Sequence, residues 1–156
     1  MSNSTTYYLA VLPRVVSSYE NSDYHIVVDN YIETGSKTAS LTPAQVVSTS
    51  DIWSTDATYN ATTIPTNAVV TSATIQASKS TLKNDYGNQL RVSIGGRAYE
   101  VVNWKTGAIA LPDLVGANAN GYWRAGFKAT EIPVLVSGTM MKYGNVIMKD
   151  FKITVN

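Results

Sequence analysis

His25 is the only histidine in the chain, so imidazole chemistry has one possible location. It lies in Asp23-Tyr24-His25-Ile26-Val27-Val28-Asp29, an alternating stretch with Tyr24, Ile26 and Val28 on one side and His25 with Val27 on the other. A serine–histidine–aspartate unit would need His25 as its base, and one histidine excludes a multi-histidine metal centre. An ordinary strand histidine is the simpler reading of this alternation. Glycoside hydrolysis needs only two carboxyl groups at a set separation, and eleven acidic residues are present. They are spread about one per loop or strand, with no pair inside a Trp- and Tyr-lined segment. Asp51 with Asp56, and Asn84, Asp85 and Asn88, place oxygens at short spacing. Neither set follows the spacing of a calcium loop, and the second reads as a turn. Gly95-Gly96 joins two strands and opens no helix, so it is not a phosphate-binding loop. With no cysteine there is neither a disulfide nor a thiolate metal site. These residues predict no enzyme, no metal and no cofactor.

Binding chemistry has better material. Glycan recognition uses aromatic platforms beside amides and carboxylates. Two segments offer both: Val102-Asn103-Trp104-Lys105-Thr106-Gly107 and Asn118-Ala119-Asn120-Gly121-Tyr122-Trp123-Arg124. Trp104, Tyr122, Trp123, Asn103 and Asn120 are therefore the candidate glycan or partner contacts. Trp123 is in phase with Phe127, which favours the core for it, and Trp53 is placed to cover a sheet edge. In the N-terminal segment Tyr7, Tyr8, Leu9, Val11 and Leu12 are the candidate assembly contacts.

The elements that carry these residues are extended. Val outnumbers Leu by 17 to 8, and Ser plus Thr total 33, a bias toward half-buried pleated surface. Gln89-Leu90-Arg91-Val92-Ser93-Ile94-Gly95-Gly96-Arg97-Ala98-Tyr99-Glu100-Val101-Val102 reads as a hairpin, with Gly-Gly supplying the positive φ angles of a two-residue turn. That turn predicts Ile94 opposite Arg97, Val92 opposite Tyr99 and Leu90 opposite Val101. Ser93 then faces Ala98, and Arg91 faces Glu100 as a charge pair. Further strands are expected at 6–12, 24–32, 57–63, 68–77, 123–129, 132–136 and 145–155. In the last of these Phe151, Ile153 and Val155 have one parity and Val146 with Met148 the other, which requires a bulge near Lys149–Asp150. Residues 42–47 read as at most one helical turn.

The expected fold is an all-β, antiparallel β-sandwich, jelly-roll-like. Residues 1–22 are a candidate N-terminal arm or assembly segment, and 23–156 the sandwich domain. A formal net charge of +1 with scattered Lys and Arg argues against nucleic acid as a partner. The N-terminus lacks a basic segment followed by a long apolar run, and no stretch is long enough for membrane insertion. Only 15% of residues are charged, a composition suited to a protein that sits against other surfaces. Cytoplasmic synthesis without a signal peptide, joined to that outward-looking surface, is reconciled by a virion component released by lysis.

Ile64-Pro65-Thr66-Asn67-Ala68-Val69-Val70-Thr71-Ser72-Ala73-Thr74-Ile75 resembles a phrase of β-sandwich modules in bacterial surface and phage structural proteins. Leu135-Val136-Ser137-Gly138-Thr139 and the segment from Gly144 to Val155 are similar to the closing strands of jelly-roll carbohydrate-binding domains and phage accessory proteins. Asp150 matches the acid that often precedes the last strand there. The resemblance covers about residues 56–156 and carries over no ligand residue. It supports the sandwich; joined to the low charge, the missing signal peptide and the absent cysteine, it leads to the expectation of a non-enzymatic bacteriophage virion structural protein, as capsid decoration or a tail, fibre or baseplate accessory. Its partners would be other virion proteins and itself, with a homotrimer favoured because a closed ring hides sheet edges. The alternative is a carbohydrate-binding module that recognises a surface glycan.

Overall fold

Trp123, Ala125 and Phe127 alternate with Arg124, Gly126 and Lys128, and the strand they form is central to one of two stacked sheets. The computed structural model describes residues 34–79, 86–130, 132, 134–141 and 145–156. The expected strands 6–12 and 24–32, the arm 1–22 with Tyr7, Tyr8, Leu9, Val11 and Leu12, and His25 lie outside those residues. So do Asn84 and Asp85.

Within the described residues the strands are β1 (Lys37–Ser40), β2 (Gln45–Thr49), β3 (Ala57–Asn60), β4 (Ala73–Lys79), β5 (Gln89–Ile94) and β6 (Glu100–Asn103). They continue with β7 (Ile109–Ala110), β8 (Tyr122–Lys128), β9 (Val134–Val136), β10 (Thr139–Met141) and β11 (Asn145–Val155). One sheet runs β1-β11-β4-β7, with β2 also on β11; the other runs β3-β8-β5-β6. All these pairings are antiparallel. A single apolar cluster joins the sheets, with Ile75, Met148, Phe151 and Ile153 from one meeting Leu90, Val92, Ile94, Trp123 and Phe127 from the other. Full burial of such side chains stabilises by about 1.5–3 kcal/mol each. The chain is thus an all-β antiparallel sandwich.

The expected bulge is present. The β11–β4 register shifts between Lys149 and Lys152, and Asp150 takes a φ of 56°. Val146 and Met148 before it, and Phe151, Ile153 and Val155 after it, consequently all face the core. On its other side β11 pairs with β2 up to Lys149 and with β1 from Lys152, so the bulge falls where the neighbour changes.

The β5–β6 hairpin corrects the expected register. Gly95 and Gly96 both have positive φ, and the Arg97 N–H donates to the Ile94 carbonyl at 3.1 Å, as expected of the turn. Beyond it the chain carries one extra residue: Val92 pairs with Glu100, Arg91 with Val101 and Leu90 with Val102. The Arg97 carbonyl accepts the Ser93 hydroxyl at 2.6 Å, while 97–99 run unpaired. The slip inverts β6 alone, so Glu100 is buried and Val101 is 51% exposed.

Other differences are local. Residues 45–49 form β2 rather than a helical turn, with Val46 and Ser48 facing in. β4 begins only at Ala73, because the parity breaks ahead of it: Val70 is buried and Val69 exposed. Both are held instead against 116–118 through backbone bonds of Val70 and the Val69–Asn118 bridge.

Candidate functional site

The outer face of the β3-β8-β5-β6 sheet presents residues of opposite parity to the core: Arg91 from β5 and Arg124, Gly126 and Lys128 from β8. A loop is folded onto this face by buried serines. Ser48 Oγ accepts from the Ala129 N–H at 3.2 Å and donates to the Ile52 carbonyl at 2.9 Å. Ser54 Oγ accepts from the Phe127 N–H at 3.0 Å and donates to the Thr55 carbonyl at 2.7 Å. The Asp51 and Ser54 N–H groups return bonds to the Ala129 and Phe127 carbonyls. Residues 49–56 therefore continue the pairing of β8 past β3. A buried N–H left without a partner costs about 1–3 kcal/mol, so these hydroxyls fix the loop firmly. Trp53 and Asp56 ride on it.

Asp56 is the hub of the face. Its Oδ1 accepts from Arg91 Nη2 at 2.7 Å and from Arg91 Nε at 3.1 Å, and its Oδ2 accepts the Tyr99 hydroxyl. Arg91 Nη2 also donates to the Ser54 carbonyl at 3.2 Å. The Arg91 guanidinium lies 5.0 Å from the Trp53 ring centre and 4.8 Å from that of Tyr99. Arg124 lies 5.7 Å from Tyr99, and Lys128 5.3 Å from Trp53. The result is a band in which cations and aromatic rings alternate, each contact worth about 0.5–1 kcal/mol where exposed and more where desolvated.

Gly126 is the floor of the band. A Cβ there would stand 2.8 Å from both Arg91 Nε and Asp56 Oδ1, so the ion pair rests directly on backbone. The Arg91–Asp56 pair is sheltered, its side chains 24% and 16% accessible. The Lys128–Asp51 pair, at 3.3 Å with Asp51 largely exposed, contributes little by comparison. Burial, the hydrogen bond to Asp56 and that carboxylate's charge raise the Tyr99 phenol above its ordinary pKa, while Arg124 and Arg91 pull it down. The phenol therefore stays a donor throughout the neutral range. Arg124 has no carboxylate partner among the described residues, and its Nε is buried without a hydrogen-bond acceptor.

The residues singled out in the sequence are placed differently. Trp123 is fully buried, stacked at a tilt on Tyr59 with ring centres 5.4 Å apart, and its indole N–H donates to the Ala119 carbonyl at 2.8 Å. Trp104 is half-buried, its N–H donating to the Ala77 carbonyl at 3.0 Å and Lys79 lying over its ring. The Asn120 amide donates to the Ile64 carbonyl and pins the long β3–β4 connection. Tyr122 and Asn103 are exposed. The two candidate groups are not brought together: Asn103 stands beside Gln89 and Tyr122 beside the Ile94 end of β5. Five residues of strand separate those ends, roughly 17 Å.

Alternation alone puts Arg91, Arg124 and Lys128 on one side of their strands. Trp53, Asp56 and Tyr99 carry no such signal, because a loop supplies the first two and the register slip supplies the third. Among the described residues no three His, Cys, Asp or Glu side chains converge as metal ligands, and no helix is long and apolar enough to cross a membrane. No protein-family model, curated protein or solved structure matches the chain.

Proposed function

We infer that this protein is a non-enzymatic structural component of a bacteriophage virion, a capsid decoration or a tail, fibre or baseplate accessory, working through protein–protein assembly. One observation carries the assembly part. β9 and β10 pair only with each other among the described strands, and Leu135 and Val136 are 65% and 46% exposed. Adjacent strand residues point to opposite faces, so both faces of this hairpin are open at that point. A lone two-stranded hairpin is marginal in water, and its unpaired edges are templates for another chain. Seating it in a neighbouring subunit would cover both liabilities. The virion setting and jelly-roll-like connectivity rest on the sequence resemblance and on the low charge.

Light scattering after size exclusion tests this. The wild type is expected to elute as a closed oligomer, with a trimer favoured. Leu135→Glu with Val136→Glu should give a folded monomer. A wild type that stays monomeric at tens of micromolar contradicts assembly. The second reading, a carbohydrate-binding module, draws on the aromatic and cationic band across β5 and β8.

A further inference from the structure

We propose that the outer face of the four-stranded sheet binds an acidic glycan, with Arg124 receiving the carboxylate of a uronic- or sialic-acid-type sugar beside Tyr99. The first argument is charge. Arg91, Arg124 and Lys128 meet two carboxylates on this face, and both carboxylates are committed, Asp56 to Arg91 and Asp51 to Lys128. Arg124 is left as the unmatched charge, half-buried, with an orphaned Nε. Its two Nη groups are not among the buried atoms and make no hydrogen bond among the described residues, so they face solvent, and an incoming carboxylate offers the paired acceptors that end of the planar fork fits.

The second argument concerns the class of ligand. Arg124 sits on β8, which is hydrogen-bonded to β3 on one side and β5 on the other. No free backbone edge borders it, so a peptide could not add as a strand there. Recognition must come from side chains on the face of the sheet. Thr58 is directly opposite Arg124 and Tyr122 is opposite Asn60, and all three of these neighbours are exposed. Hydroxyl, amide and phenol groups match the donors and acceptors around a sugar ring. The face is also set in advance, because Asp56 holds Arg91 and Tyr99 while Tyr99 supports Arg124. Little ordering remains to oppose binding.

Calorimetric titration of the full chain is the test, with oligogalacturonate and sialyllactose as probes. Methyl-esterified oligogalacturonate, lactose and poly-glutamate serve as comparators. At least one acidic sugar should bind, and its neutral counterpart should not. Arg124→Ala and Arg124→Gln should each weaken binding by about 10- to 100-fold, the loss of a charge-assisted bidentate contact, with an unchanged thermal midpoint. Lys152→Ala, an exposed cation on β11 of the other sheet, should bind as the wild type does. Failure of both acidic sugars to bind overturns the proposal, as does undiminished binding by a folded Arg124 variant. Equal affinity for poly-glutamate would make the site a general anion patch and overturn the glycan assignment. The site stands apart from the assembly reading, since the hairpin variant leaves Arg124 untouched and either result can fail alone.

Discussion

Glu100 shows what the register slip costs and how the fold offsets it. Glu100 is 7% exposed, and its Oε2 accepts the Asp113 N–H at 3.1 Å at the start of the 3-10 turn Pro112–Leu114. Burial first, and the nearby Asp113 carboxylate second, raise its pKa above the ordinary 4.5; the N–H groups of Asp113 and Leu114 work in the other direction. A carboxyl whose pKa rises on folding holds its proton more tightly in the folded state. Its contribution is therefore full below about pH 4.5 and is lost as pH climbs through the raised value. Glu100→Gln keeps an acceptor for Asp113 and removes the buried charge. The variant should melt higher than the wild type at pH 7, by about 1 kcal/mol or roughly 2–4 °C at this chain length. At pH 4 the difference should vanish, and thermal melts at the two values check the sign. None of this is legible in the sequence, because the choice between Tyr99 and Glu100 for the interior is made by Asp56 and Asp113, partners distant along the chain.

At the scale of elements, the legible features are those written in local parity. The change of phase between Met148 and Phe151 admits no regular strand that buries both, so the sequence itself demands an extra residue there. Deleting Asp150 should turn Phe151, Ile153 and Val155 outward. At about 1.5–3 kcal/mol each, that loss rivals the 5–15 kcal/mol that stabilises a typical domain. The deletion variant should be unfolded by circular dichroism, whereas Asp150→Gly, which accepts a φ of 56° without steric penalty, should stay folded. Gly95-Gly96 specifies its turn equally well. It does not specify where pairing resumes, since a turn fixes two residues and leaves the next ones to tertiary contacts. β2 is hidden for a related reason: Ser48 occupies an inward position as the acceptor for the Ala129 N–H just past β8, which breaks the apolar alternation that marks a strand.

For the molecule as a whole, two surfaces divide the proposed work, the β9–β10 hairpin for subunits and the β5–β8 face for sugar. If they act independently, Leu135→Glu with Val136→Glu should retain the wild-type affinity for acidic oligosaccharide per chain. Arg124→Ala should in turn retain the wild-type mass by light scattering. A monomeric variant that loses sugar binding would show instead that the ligand is held between subunits. Layered architecture is readable from composition and alternation, but the site is not, because it draws on two loop segments, 49–56 and 97–99, as well as on β3, β5 and β8. Gly126 adds a constraint of its own. With no atoms to exchange at the centre of the band, any shift in ligand preference has to be written around the perimeter, at positions such as Trp53, Thr58 and Tyr122. Reprogramming this face in the laboratory therefore means changing its border and leaving its middle blank.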